Sequence, residues 1–87
     1  MKILLTATAL ENLAQMPPKA GTLLLERIQR LTTFPESGSP VTYAGFEHLR
    51  QVIFDRWQAV YRYDKAGQTI TILFVKHQRQ QWPRTIP

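Results

Sequence analysis

A basic and aromatic group of side chains occupies seven consecutive positions near the end of the chain. Lys76, His77, Arg79 and Trp82 follow a strongly apolar segment and are separated only by glutamines. Lysine and arginine bind phosphate, histidine gains or loses a proton near neutral pH, and an aromatic ring stacks on a nucleobase. These residue types predict a site for single-stranded RNA. RNA cleavage needs no metal, because its own 2′-hydroxyl can attack the adjacent phosphate when the groups around it are well placed.

Each of these residues has a plainer reading that the pattern leaves open. His77 is either an acid, base or phosphate ligand, or a solvated histidine at the end of a strand. Arg50 and Arg79 either clamp phosphates or lie on a solvated surface, and Trp82 either stacks on a base or closes the core. No metal site and no cofactor are expected, since the two histidines lack ligand spacing and cysteine is absent.

The distribution of charge supports a polyanionic or acidic partner. The net charge is +5, and seven of the 11 basic residues lie within 44–87, against three of the 6 acidic residues. The excess therefore falls on the half of the chain that reads as sheet, where it favours nucleic acid or an acidic protein. A surface that is merely well solvated remains the alternative.

The N-terminus and the lack of cysteine bear on location. The apolar run after Lys2 resembles the start of a signal peptide, but two threonines interrupt it and Glu11 ends it, so we expect no cleaved leader. No segment approaches the roughly 20 apolar residues of a membrane span. A chain without cysteine is typical of a reducing compartment, and we predict a cytoplasmic protein.

The elements that must position the candidate residues form one α+β domain, 1–87, in the order β-α-α-β-β-β. Pro17 and Pro18 separate two helices, and Gly67 lies in a hairpin turn. An antiparallel sheet packed on an N-terminal helical hairpin follows from this order. The predicted strands are Lys2–Thr6, Phe46–Phe54, Trp57–Asp64 and Thr69–Lys76, and the predicted helices are 8–16 and 18–33, with Thr6 or Thr8 capping the first.

Alternation along the strands assigns the candidate residues to faces. In the strand Trp57–Asp64, the residues assigned to the helix side are Ala59, Tyr61 and Tyr63, and those assigned to the open side are Gln58, Val60 and Arg62. In the last strand the residues assigned to the helix side are Ile70, Ile72 and Phe74, and those assigned to the open side are Leu73, Val75 and His77. We therefore expect Arg62 and His77 to share the open face, together with His48 and Arg50 if their strand has the matching register.

The order and spacing of these residues resemble the RelE/ParE superfamily of toxins from type II toxin–antitoxin systems. The Arg-hydrophobic-Arg strand of that superfamily is matched by His48-Leu49-Arg50, and its Tyr-Arg-hydrophobic-hydrophobic-Tyr strand by Trp57-Gln58-Ala59-Val60-Tyr61. Its Val-Gly-His-Arg-Arg-x-x-Tyr ending is matched by the segment 75–82. Glutamine at position 58 stands where arginine is usual, and tryptophan at position 82 lacks the hydroxyl of tyrosine.

The resemblance implies one of two activities. RelE-like members are metal-independent endonucleases that cut mRNA in the ribosomal A site, whereas ParE-like members inhibit DNA gyrase and lack the nuclease residues. Arg50, His77 and Arg79 as catalytic residues favour the RelE-like branch, with an RNA-binding set of Arg62, Lys76, Trp82 and His48. On this view Arg62 compensates for the arginine missing at position 58. The alternatives are a gyrase inhibitor and an inactive relative that only binds its antitoxin.

The resemblance also implies a protein partner. A cognate antitoxin is expected to wrap the toxin with an amphipathic helix and an acidic or apolar strand.

Overall fold

Two helices and a five-stranded sheet make up the chain, and a computed structural model describes all residues, 1–87. The elements are β1 Lys2–Leu5, α1 Ala7–Gln15, α2 Pro18–Gln29 with a 3-10 turn Arg30–Thr32, β2 Ser39–Pro40, β3 Arg50–Phe54, β4 Trp57–Asp64 and β5 Thr69–His77. The strand order is β1-β5-β4-β3-β2, and β1 runs parallel to β5 while the other pairs are antiparallel. The predicted α+β class is confirmed. Neither helix is long and apolar enough to cross a membrane.

Local sequence signals set the two helices. The Thr6 side chain caps α1 by accepting a hydrogen bond from the Ala9 N–H at 3.0 Å, and its hydroxyl donates to the Leu73 carbonyl at 2.6 Å. The same residue therefore begins the helix and joins it to β5. Pro18 lies in the first turn of α2, where its missing N–H is not needed. The two helices form the helical hairpin that the sequence predicts.

The helix side of the sheet holds the larger core. Leu24, Ile28 and Tyr61 are among its fully buried residues. Trp57 and Tyr63 pack at its margin, and Tyr63 lies on the helix side as predicted. The buried members are Ala9, Met16, Leu24, Ile28, Leu31, Val52, Ala59, Tyr61, Ile70, Ile72 and Val75.

The opposite face of the sheet is not fully open. Residues 41–49, predicted in part as strand, form a loop that folds over this face, and β3 begins only at Arg50. Val41, Phe46 and Leu49 from the loop are buried against three sheet residues, Val60, Leu73 and Phe74. This second core leaves only part of the face accessible.

A bulge in β5 changes the faces of its last residues. Val60 pairs with Phe74 and Tyr61 pairs with Ile72, so Leu73 is an extra residue between the two pairs. Because one inserted residue reverses the alternation beyond it, Phe74 turns to the face away from the helices. Val75 and His77 turn to the helix side. The predicted faces of Phe74, Val75 and His77 are therefore wrong, whereas those of β4 are confirmed.

The capping residue Thr6 and the α1 residue Asn12 cover the free edge of β5. β1 pairs only with Thr69–Ile72, and beyond that point no strand lies beside β5 on this side. Thr6 bonds the Leu73 carbonyl there, and the Asn12 Oδ1 accepts a hydrogen bond from the Val75 N–H at 3.0 Å. This edge is consequently unavailable for pairing with another strand, and the end of β5 is held in place beside α1.

Candidate functional site

His77 lies at the end of the sheet and is held by the turn that follows it. Its ring meets the Trp57 ring edge to face, with centroids 5.2 Å apart and an angle of 84° between the planes. The His77 N–H donates to the Gln80 Oε1 at 2.7 Å, and the Gln80 N–H donates to the His77 carbonyl at 2.9 Å. The Nδ1 atom of His77 accepts a hydrogen bond from the Arg79 N–H at 3.2 Å. These bonds fix both the backbone and the ring of the histidine.

The hydrogen bond to Nδ1 selects the tautomer of His77. Because Nδ1 is the acceptor, the proton of the neutral ring is on Nε2. The Nε2–H is then the group left for a ligand, and it acts as a donor rather than as a base. Of the roles predicted for His77, this geometry supports the phosphate ligand.

The cleft beside His77 contains no carboxylate. It has a volume of about 300 Å³ and its lining residues are Asn12, Gln15, Trp57, Val75, His77 and Gln80. Amides and ring N–H groups can donate to an anion, and there is no acidic side chain in the lining to repel one. The cleft therefore suits a phosphate group better than a cation.

Two exposed arginines belong to the turns that meet at this end of the sheet. Arg56 lies in the β3–β4 turn, and its carbonyl accepts a hydrogen bond from the Gln78 N–H at 2.7 Å. Arg79 follows in the turn after β5 and is also exposed. Asp55, in the same turn as Arg56, adopts a left-handed conformation with φ 55°. Arg56 is not among the residues predicted from the sequence, although its position directly before the Trp57 strand is a signal for it.

Lys76 lies on the opposite side of β5 from His77 and is buried, with 4% of its surface exposed. Its ammonium donates to the Gln58 Oε1 at 3.1 Å and to the carbonyls of His77 and Gln78 at 3.0 and 3.4 Å. All three donors of the ammonium are therefore used within the protein. Burial lowers the pKa of Lys76, because the charged form loses its hydration.

Lys76, rather than Arg62, places a cation beside Gln58. Arg62 does share the face of Gln58, but it is four residues along β4, a distance of about 13 Å at the usual rise of a strand. Arg62 is exposed and pairs with Thr71, whereas Gln58 is buried and pairs with Lys76. The compensation expected from Arg62 therefore has no support in the geometry.

Arg50 holds a loop and faces the helix side. It pairs with Tyr61, and its Nη1 donates to the carbonyls of Glu36 and Gly38 at 3.0 and 2.7 Å. The Tyr61 hydroxyl accepts from the Gly38 N–H and donates to the Pro35 carbonyl, and burial raises the pKa of this hydroxyl. The register that would place Arg50 on the face of Arg62 does not occur, because Arg50 pairs with Tyr61 on the helix side.

Trp82 and His48 lie near the second core. Trp82 is half-buried, its ring centroid lies 5.3 Å from that of Phe46, and the Lys76 ammonium lies 5.1 Å from its centre. The ring of Tyr43, which is not among the residues predicted from the sequence, is stacked on it. His48 is exposed in the loop before β3 rather than on a strand. Both readings of Trp82 thus keep their basis, since it closes the core and belongs to an aromatic stack.

The predicted constellation is divided between the two sides of the sheet. His77 and Arg79 meet at one end, and Lys76 and Trp82 meet on the opposite face. Arg50 and Arg62 join neither pair.

Comparison with known proteins identifies the family of the chain. The family model described as "ParE toxin of type II toxin-antitoxin system, parDE" matches residues 3–82. No curated protein matches the sequence.

Solved structures of toxin–antitoxin complexes share the fold. The Mycobacterium tuberculosis RelBE2 complex contains a chain with a TM-score of 0.77 and 24% identity, covering 87% of this chain and 95% of that one. For the intact Escherichia coli RelBE complex the values are 0.73 and 11%, with 90% and 96% covered. For the RelB–RelE complex of Methanococcus jannaschii they are 0.59 and 18%, with 87% and 91% covered. With the family model matching nearly the whole length, the chain belongs to the RelE/ParE superfamily, as a toxin of a type II toxin–antitoxin system.

Proposed function

We propose that this toxin inhibits translation by cutting mRNA in the ribosomal A site. The observation that carries the proposal is the turn after β5, where the Arg79 N–H orients His77 so that its Nε2–H is left for a ligand. The adjoining cleft has no carboxylate, and Arg56 and Arg79 are exposed in the two turns that meet there. This combination supports a site for an RNA phosphate.

The chemistry asks for charge stabilisation and positioning. The 2′-oxygen attacks the neighbouring phosphorus and gives up its proton to water, while the bond to the 5′-oxygen breaks and that oxygen takes a proton from water. His77 donates to a non-bridging oxygen, and the arginines stabilise the negative charge that develops there. Since the cleft contains no evident base, alignment of the strand must supply much of the rate, which fits a reaction that depends on the ribosome.

A translation assay with two readouts tests the proposal. The toxin is added to a bacterial cell-free translation system, and mRNA ends are mapped by primer extension while protein synthesis is followed. We expect synthesis to stop with cuts at codon spacing, and Arg79→Ala to reduce the cuts at least about tenfold through loss of a charge-assisted contact. Intact mRNA in an assay that the wild-type toxin has stopped would contradict nuclease activity.

Inhibition of DNA gyrase is the second candidate. The description of the matching family model names the ParE toxin, and Arg50, one of the residues predicted for catalysis, holds loop carbonyls instead of meeting His77 and Arg79. A binding function needs no catalytic group. Supercoiling of a relaxed plasmid by purified gyrase, with and without the toxin, separates the two functions. Gyrase inhibition with intact mRNA supports this candidate, and activity in neither assay supports an inactive relative that only binds its antitoxin.

A cognate antitoxin is the proposed protein partner, as the three similar solved structures described above are toxin–antitoxin complexes. The largest cleft, about 500 Å³, lies between the end of α2 and β3 and is lined by Arg27, Arg30, Phe34 and Ile53 among others. β2 pairs only with Arg50 and Gln51, so the rest of the β3 edge has no partner strand. Exposed apolar side chains and two arginines beside a free edge suit an extended segment with apolar and acidic residues.

A further inference from the structure

Three buried residues determine the shape of the loop of residues 41–49 and are called its anchors. Val41, Phe46 and Leu49 are buried in the second core, and the Val41 N–H donates to the Leu49 carbonyl at 3.0 Å to close the base of the loop. The Leu49 N–H also donates to the Phe46 carbonyl at 3.0 Å. Residues between these anchors are therefore presented from a fixed support.

A tight turn inside this loop fixes the backbone of Tyr43. The Phe46 N–H donates to the Tyr43 carbonyl at 3.0 Å, and Gly45 has φ 91° at the third position of the turn. A positive φ at that position is what a type II turn requires, and glycine adopts it without strain. Because Phe46 is buried, this hydrogen bond fixes the backbone of Tyr43, three residues earlier in the chain, relative to the second core.

The ring of Tyr43 is stacked on Trp82 and yet remains accessible. The two centroids are 4.7 Å apart and the planes differ by 7°, while Tyr43 also meets the edge of Phe46. Tyr43 is nevertheless 46% exposed. No protein group bonds its hydroxyl, whereas the hydroxyl of the buried Tyr61 has two partners.

Trp82 is poorly placed to receive a base itself. Tyr43 covers it, Phe46 and Phe74 pack against it, and the Lys76 ammonium lies 5.1 Å from its ring centre. A base that stacked directly on the covered face of Trp82 would have to displace Tyr43 and open the margin of the second core. The outer face of Tyr43 presents the same kind of surface without that cost.

We propose that Tyr43 is the stacking platform for a nucleobase of single-stranded RNA, and that Trp82 supports it from beneath. The proposal rests on the proposed action on RNA. A base, Tyr43 and Trp82 then form a continuous stack, and stacking of this kind tolerates any base because every base has a π face.

Binding of a short RNA tests the platform. The probe is a fluorescein-labelled single-stranded adenylate hexamer at low salt, followed by fluorescence anisotropy. We expect Tyr43→Leu, which keeps an apolar cover on Trp82 but removes the ring, to weaken binding about tenfold, in the range measured for loss of one stacked base. Tyr43→Phe should stay within about twofold of wild type. The control is Leu10→Ala, which removes an exposed apolar side chain from α1 and should bind as wild type.

A second probe separates stacking from contacts with the backbone. In a hexamer of the same length that lacks its bases, wild type and Tyr43→Leu should bind equally, because no base remains to be stacked. An equal loss on both probes would overturn the stacking role, as would Tyr43→Leu binding the adenylate hexamer like wild type. If that variant binds normally while wild type cuts mRNA, the platform is wrong and the proposed function stands. Wild type that neither binds the hexamer nor cuts mRNA overturns both.

Discussion

At the scale of single residues, His77 and Lys76 are adjacent in the chain but have opposite environments. His77 is half-buried, and the Arg79 N–H selects its tautomer. Lys76 is buried, and three oxygen atoms accept hydrogen bonds from its ammonium. Histidine and lysine next to each other look like one cationic cluster in the sequence. In the folded chain only the histidine has a group left for a ligand.

Two substitutions of His77 distinguish the role of its Nδ1 atom from that of its Nε2 atom. In His77→Asn the amide oxygen can replace Nδ1 as acceptor for the Arg79 N–H, but no donor reaches the position of Nε2. We expect this variant to keep its thermal stability and to lose at least about tenfold in mRNA cleavage, the effect of one hydrogen bond to a charged group. His77→Gln, whose amide extends further, should retain more activity. Equal activity of His77→Asn and wild type in the primer-extension assay would remove His77 from the site.

The buried ammonium of Lys76 predicts how stability changes with pH. Burial lowers the pKa of Lys76, so the unfolded chain holds that proton more tightly than the folded chain. Stability should therefore rise as the pH increases through the lowered pKa towards the ordinary pKa of lysine. Above about pH 10, the ordinary pKa of tyrosine, stability should fall as the pH rises. The pKa of Tyr61 is raised in the folded chain, so the unfolded chain loses this proton first and is favoured.

Urea unfolding at several pH values between about 7 and 9.5 measures this dependence on pH. The variant Lys76→Met should show a flatter dependence than wild type, whatever its absolute stability. Lys65→Met, which changes an exposed lysine in the hairpin turn, is the control and should follow wild type. The same slope in Lys76→Met and wild type would contradict the assignment to Lys76.

At the scale of elements, α1 and β5 depend on each other through two polar side chains. Thr6 and Asn12 bond backbone groups of β5 beyond the point where β1 ends. The bulge at Leu73 lies within the same stretch and turns His77 towards the side of the sheet that the helices cover. The position of His77 therefore depends on the hydrogen bonds by which Thr6 and Asn12 hold the backbone at the edge of β5.

Removing the Asn12 side chain tests this dependence. Asn12→Ala leaves the Val75 N–H without its partner, and we expect a loss of about 1–3 kcal/mol in the free energy of unfolding. Asn12→Asp keeps an acceptor oxygen at the same place and should lose much less. Chemical denaturation of the three proteins gives the values. Equal stability of the alanine variant and wild type would show that water or another group satisfies the Val75 N–H.

At the scale of the whole molecule, the sheet separates surfaces with different chemistry. The end of the sheet carries His77 and its cleft, the 41–49 loop carries Tyr43, and the cleft between α2 and β3 carries arginines beside exposed apolar residues. A net charge of +5 draws polyanions and acidic proteins to all of them, and local geometry must distinguish the ligands. An antitoxin on the α2–β3 cleft would occupy a different part of the surface from RNA at the end of β5.

Reversing one charge in the α2–β3 cleft tests where the antitoxin binds. Arg30→Glu should weaken binding of the cognate antitoxin about tenfold, because it places like charges opposite each other. Lys65→Glu makes the same change in net charge at the hairpin turn and should have little effect. Calorimetric titration of the toxin variants with the antitoxin measures both. Equal weakening by the two variants would indicate a general effect of charge rather than this cleft.

Much of the fold was predictable because the signals that set it are local. Pro17 and Pro18 end one helix and begin the next, Thr6 caps the first, and alternation along β4 follows from its own residues. The order of these elements and the ending Val75–Trp82 also sufficed to identify the superfamily, which the family model confirms over residues 3–82.

The tertiary structure alone decided which candidate residues meet. The bulge at Leu73 arises from the pairing between β4 and β5, and no residue type in β5 predicts it. Simple alternation therefore assigns His77 to the wrong face. The stacking of Tyr43 on Trp82 depends on a loop that folds back over the sheet from far away in the chain. The environment of Lys76 depends on the pairing of β5 with β4, which brings Gln58 to its ammonium. Local sequence thus determined the residue types and elements available for binding RNA, whereas long-range pairing and packing determined which of them remain free to do so.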